Sequence, residues 1–93
     1  MLEKTLPKDE WTLVESAINT KVYLLDTPNS FTVYKVYTIT TGGTAPNANT
    51  TACAWVEYEG FRQAGFTVNS PDTAVDVYIM AIEADGRVVY PES

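Results

Sequence analysis

The carboxylates of this chain recur in close pairs, Glu57 with Glu59 and Glu83 with Asp85. In an extended strand, residues two apart share a face at a separation of about 7 Å. Such a pair could serve a glycosidase or hold a hard cation such as Ca²⁺. Neither pair continues into a calcium-loop pattern, and 93 residues offer little room for a cleft, so the expected role is a solvated strand face. Asp72 and Asp76 flank the start of a strand and read as turn formers. The chain has no histidine, which removes the usual general base, the usual catalytic triad and most zinc sites. Its single cysteine, Cys53 in TACAWV, can form neither an internal disulfide nor a multi-thiolate site, and reads as a small buried thiol. Gly42-Gly43 is followed by neither a lysine nor a helical pattern, so it is no phosphate loop. Asn49-Thr50-Thr51 matches the N-glycosylation pattern, but no secretion signal accompanies it. No serine, threonine or lysine has an activating partner. The sequence therefore assigns no catalytic residue, no cofactor and no metal ligand, and the chain is expected not to be an enzyme.

Binding chemistry is better represented. Trp11, Trp55 and six tyrosines (Tyr23, Tyr34, Tyr37, Tyr58, Tyr78, Tyr90) could stack on sugar rings, although strands use the same residues to fill small cores. Twelve acidic residues against six basic ones give a net charge of −6, with no Lys/Arg run. Phosphate contacts drive nucleic-acid affinity, so a nucleic-acid partner is excluded on charge. The same sign opposes docking on an anionic membrane. No apolar stretch approaches the roughly 18 residues of a membrane helix. The start, MLEKTLPKDEW, lacks the apolar centre of a signal peptide. The chain is expected in a cytoplasm, or carried out of it inside something larger.

The elements that must position these residues read as strands. Short β-branched and aromatic runs alternate with turn residues, and no window carries helical periodicity with caps. Seven strands are expected, over approximately residues 11–16, 21–26, 31–40, 51–59, 65–69, 74–84 and 87–90. The fold class that follows is all-β, a small antiparallel β-sandwich or barrel of about seven strands. Asp85-Gly86 reads as a two-residue hairpin turn. Thr27-Pro28-Asn29-Ser30 and Asn69-Ser70-Pro71-Asp72 read as further turns, and Asn19-Thr20 as a joint. Residues 40–51, TTGGTAPNANTT, are expected to form an exposed, mobile loop. Residues 1–9 read as an N-terminal arm outside the sheet, and residues 10–93 as a single β-sandwich domain.

Side-chain parity adds one functional expectation. A half-buried strand alternates apolar and polar residues, and several strands here do not. Val75, Val77, Ile79 and Ala81 point one way, and Tyr78, Met80 and Ile82 the other. Phe31, Val33, Tyr37 and Ile39, interrupted by Lys35, oppose Tyr34 and Val36, and Val22 and Leu24 oppose Tyr23 and Leu25. Strands that are apolar on both faces imply a second contact surface, most simply a subunit interface. The expected interface residues are Leu2, Leu6, Tyr34, Val36, Tyr78, Met80 and Ile82, in an assembly protein.

From Trp11 onward, the order of features resembles a group of small tailed-bacteriophage virion proteins. The features are a WTLV strand, a KVYLL strand, a strand running into TGGTAPNANT, then VDVYIMAIEADG and a final RVVYPES. The chain departs from that pattern at VYLL and in the stretch EYEGFRQAG, which leaves head and tail locations both open. The resemblance implies a β-sandwich accessory protein of the virion, made in the bacterial host cytoplasm. It implies a capsid decoration (cement) subunit that binds the major capsid protein or another virion protein and stabilises the head shell. It also implies a homo-oligomer, with a trimer favoured. The alternative is a tail-tip or fibre-associated module that binds a receptor or glycan. No catalytic residue follows from the resemblance.

Overall fold

Two long strands organise the chain. The computed structural model describes residues 2–26, 32–47, 54–58 and 63–90. The strands are β1 (Leu2–Leu6), β2 (Thr12–Asp26), β3 (Thr32–Thr40), β4 (Ala54–Tyr58), β5 (Gln63–Ala81) and β6 (Gly86–Tyr90). The order across the sheet is β1-β6-β2-β5-β3-β4, and every pair of neighbouring strands is antiparallel. Among the described residues there is no helix. The all-β antiparallel sandwich expected from the sequence is the fold observed.

β2 and β5 form a ribbon from Thr12↔Ile79 to Asp26↔Gln63, broken by two register shifts. Between the pairs Ala17↔Val75 and Asn19↔Ser70, two steps along β2 oppose five along β5. Pro71 lies in that surplus, where a residue without an N–H removes no ladder bond. The other shift, between Leu13 and Glu15, is centred on Val14. Bulges of this kind bend a ribbon, and here the bend is large. The Tyr23 hydroxyl donates to Glu15 Oε2 at 2.7 Å, from eight residues further along the same strand. A straight strand would place those Cα atoms about 27 Å apart, beyond the combined reach of both side chains. The ribbon therefore runs through two layers. One contains β1, β6, the C-terminal half of β2 and the N-terminal half of β5. The other contains the remaining halves with β3 and β4.

The core lies between the layers. Tyr23, Leu25 and Val88 enter it from the first, and Tyr34, Val77, Ile79 and Ala81 from the second, all fully buried. Tyr34 crosses the sandwich, and its hydroxyl donates to the backbone carbonyl of Asp26 at 3.1 Å. The layer containing β1 is tied across its strands by charge. Arg87 on β6 gives Nε and Nη2 to Asp26 Oδ2 at 2.8 and 2.5 Å, and Nη1 to Glu3 at 3.1 Å. Asp26 beside it, with Glu3, raises the already high pKa of the guanidinium.

Several local expectations are corrected. The N-terminal residues form the edge strand β1, paired with β6 from Leu2↔Tyr90 to Leu6↔Gly86. Leu6 is fully buried, so this segment belongs to the sandwich and is not an arm outside it. Asp85-Gly86 closes no hairpin, because β6 pairs with β1 and β2 and not with β5. Asn19-Thr20 and Asn69-Ser70-Pro71-Asp72 are not turns but lie within β2 and β5 at the bulged corner. Their turn chemistry is used for bending, so four of the expected short strands merge into two long ones. The turn at 27–30 lies outside the described residues.

Candidate functional site

In an antiparallel pair, residues directly opposite one another share a face. Tyr34↔Ala81, Val36↔Ile79 and Thr38↔Val77 therefore form one face of the β3–β5 pair. Lys35↔Met80, Tyr37↔Tyr78 and Ile39↔Asp76 form the other. The first face points into the core, since Tyr34, Val36, Val77, Ile79 and Ala81 are buried. The second faces outward and is the surface of interest: Tyr37, Ile39, Tyr78 and Met80 are its apolar members, with Lys35 and the buried Asp76 as its charged ones. Leu13 of β2 extends it opposite Tyr78 and is 44% exposed.

The seven residues expected at an interface divide accordingly. Tyr78, Met80 and Ile82 lie half-buried on the outer side of β5 and its extension. Leu6, Tyr34 and Val36 are corrected: they are core residues of the single chain, with 0%, 0% and 7% exposure. Parity separates two faces of β3 but does not say which is inner. The pairing with β5 decides it, placing Tyr34 and Val36 beside Ala81 and Ile79. Leu2 is a strand position opposite Tyr90.

Three aromatic residues dominate the outer face. The Trp11 and Tyr37 rings are 6.2 Å apart at 61°, and the Tyr37 and Tyr78 rings 6.5 Å apart at 58°. These are edge-to-face and tilted arrangements. The loop after β3 returns to this cluster, where the Trp11 indole Nε1 donates to the Asn47 carbonyl at 3.2 Å.

The described part of that loop, residues 41–47, is exposed apart from the half-buried Pro46, while residues 48–51 lie outside the described residues, and its start is tethered. Asp76 on β5 accepts from Ser16 Oγ at 2.5 Å and from the Gly42 N–H at 3.3 Å. Thr41 N–H donates to the Ala74 carbonyl at 3.1 Å, and Gly42 adopts φ 89°, which glycine takes without strain. The Ser16 hydroxyl, then the Gly42 N–H and the Thr41 side chain, hold the Asp76 carboxyl below the usual carboxylate range against the opposing effect of burial. Asp76 is thus a buried anchor of the loop rather than a turn former.

Among the described residues, the other candidates form no reactive cluster. Glu83 and Asp85 are exposed in the connection after β5, and Asp85 Oδ1 accepts the Lys8 N–H at 2.6 Å. Asp72 is exposed. Glu57 is a position on β4 opposite Val33, while Cys53, Glu59 and the Asn49-Thr50-Thr51 pattern lie outside the described residues. Among the described residues, no group of three or more acidic, histidine or cysteine side chains could hold a metal ion. No described helix is long and apolar enough to cross a membrane.

Sequence reading missed the two anchors, Asp76–Ser16 and Asp26–Arg87. Their partners are 60 and 61 residues apart, and only the register joins them. The alternation of polar Asp76 with inward Val75 and Val77 was the available signal. Comparison of the chain with known protein families, curated proteins and solved structures finds no match.

Proposed function

We propose that this chain is a non-enzymatic structural protein of a bacteriophage virion. Its specific form in this reading is a capsid decoration subunit that binds the major capsid protein or another virion protein and stabilises the head shell. The observation that carries the binding role is the outward apolar face of β3 and β5, joined by Leu13 and Trp11. A single sandwich needs only its inner face for a core, and a second apolar face is suited to burial against another protein. The virion assignment rests on the strand order from the WTLV segment to the RVVYPES segment. A net charge of −6 favours solubility before assembly. In the same reading the subunit assembles as a homo-oligomer, most simply a trimer. Quantitative mass spectrometry of purified particles tests the assignment. Hundreds of copies per particle match decoration, a few copies move the chain to the tail, and absence from the particle rejects the virion role.

The second reading is a tail-tip or fibre module that binds a receptor or glycan, favoured by the row Trp11, Tyr37 and Tyr78. Sugar stacking uses an open ring face. Interplanar angles of 61° and 58° pack these rings against one another rather than spreading a flat platform. The arrangement suits a protein contact better. Tryptophan fluorescence on titration with mono- and oligosaccharides separates the readings, because saturable quenching supports the module and an unchanged spectrum supports decoration.

A further inference from the structure

One margin of the outer face carries a charge pattern that names its partner's chemistry. The turn between β1 and β2 lies against the connection between β5 and β6. Asp9 N–H donates to the Ala81 carbonyl at 2.7 Å, and Lys8 N–H to Asp85 at 2.6 Å. Residues 8–10 and 83–85 together carry four carboxylates, Asp9, Glu10, Glu83 and Asp85, against the single Lys8. All are exposed, and Lys8 Nζ sits 3.7 Å from Asp9; the face's other cations among the described residues are Lys35, opposite Met80, and Lys4, whose Nζ donates to the Leu13 carbonyl at 2.7 Å, so the acidic excess belongs to this margin. The apolar face begins at the next residue in each segment, with Trp11 after Glu10 and Ile82 before Glu83. The carboxylates are too dispersed to form a cation site.

We infer that this face docks a protein surface with an apolar centre and a basic rim, and not a second copy of the same chain. The inference deepens the docking reading above and rests on it. Apolar contact supplies the affinity at the centre of such a patch, and rim charges steer and select the partner. Any pairing of two copies that set these margins against each other would oppose carboxylates to carboxylates, and every pairing brings together two molecules of net charge −6. A basic-rimmed partner gains where a sibling subunit loses. A homo-oligomer would then use another surface.

The test uses the full chain labelled with ¹⁵N and two synthetic helical peptides. Both have the same leucine and tryptophan centre, one flanked by lysines and the other by glutamates. The expected result is saturable shift changes at Trp11, Leu13, Tyr78 and Met80 with the lysine peptide and none with the glutamate peptide. The D9N/E10Q variant keeps the left-handed Asp9 backbone (φ 61°) within reach of asparagine. It should weaken that binding by about threefold or more at low salt, and 0.5 M NaCl should erase the difference. Equal binding of both peptides would overturn the basic-rim inference and leave the docking face standing. Binding of neither would overturn both. Concentration-dependent self-association that maps to the same residues would overturn the exclusion of a second copy.

Discussion

Gly86 offers the sharpest perturbation of the sandwich. It begins β6, and its φ is not left-handed, unlike that of Gly42, so an alanine would meet no backbone strain there. At an unstrained site, Gly→Ala usually stabilises by about 0.4–1 kcal/mol through the unfolded chain. Packing decides otherwise. A Cβ built on Gly86 falls nearest the Tyr34 hydroxyl oxygen, and lies 2.7 and 2.8 Å from ring atoms Cε1 and Cζ. Tyr34 is fully buried and its hydroxyl is bonded to the Asp26 carbonyl, so the ring cannot swing out without abandoning that carbonyl. Overpacking costs about 1–3 kcal/mol, and a buried carbonyl left unpaired about 1–3 kcal/mol more. Gly86→Ala should therefore destabilise by about 1–5 kcal/mol net, or at least about 4 °C in melting temperature for a chain of this size. Urea unfolding of Gly86→Ala, Tyr34→Leu and the double variant forms a cycle that isolates the contact. The shorter leucine side chain in the Tyr34→Leu background should remove most of the penalty of Gly86→Ala. A neutral or stabilising Gly86→Ala, or the same penalty in both backgrounds, would refute the close approach of Tyr34 to Gly86.

Further predictions concern the anchors, the edge strand and the outer face. Asp76 has a folded pKa below its unfolded value, so its stabilisation is complete above about pH 4 and is lost as pH falls through the lowered value. Thermal melts from pH 2 to 7 should show part of the acid-side decline missing in Asp76→Asn, and Ser16→Ala should reduce it in the same direction. Arg87→Ala should destabilise more than Glu3→Ala in urea titrations, because it strands Asp26, 6% exposed, whereas the Glu3 side chain is 58% exposed. Leu6→Ala should cost about 2–5 kcal/mol, and deleting residues 1–9 should destabilise the fold as well as any assembly. Leu13→Glu should leave stability within about 0.5 kcal/mol, as an exposed substitution does, while abolishing retention on partner particles in a co-sedimentation assay.

The fold class was legible because its signals are local. The β-branched and aromatic runs that became β2, β3, β5 and β6 sit where the sequence places strands. The inner row Val77, Ile79 and Ala81 and the outer row Tyr78, Met80 and Ile82 also follow from alternation alone. What failed depended on long-range register. Asp85-Gly86 has ideal hairpin chemistry, yet β6 pairs with β2 and β1, and the glycine is needed there for the approach of Tyr34. Asn19-Thr20 and Pro71 resemble turns because bulges draw on the same residue types as turns. Leu6 reads as part of an arm because a five-residue edge strand among charges has too short a pattern to register. Tyr34 and Val36 read as outward because β3 is apolar on both sides, and only its pairing with Ala81 and Ile79 distinguishes them. Of the outer face, β5 supplied the readable part. The approach of Trp11 and Asn47 depends on how the loop after β3 returns, which no spacing encodes.

Oxidative footprinting of the chain, free and then bound to purified particles, tests the docking claim most directly. Met80, Trp11 and Tyr78 are among the most readily oxidised side chain types, and all three lie on the face in question. The account predicts that their reactivity falls on binding while that of Ile18 and Val22 on β2 is unchanged when the free sample is matched for oligomeric state. Protection of Ile18 and Val22, with Met80, Trp11 and Tyr78 as reactive as in the free chain, would contradict it.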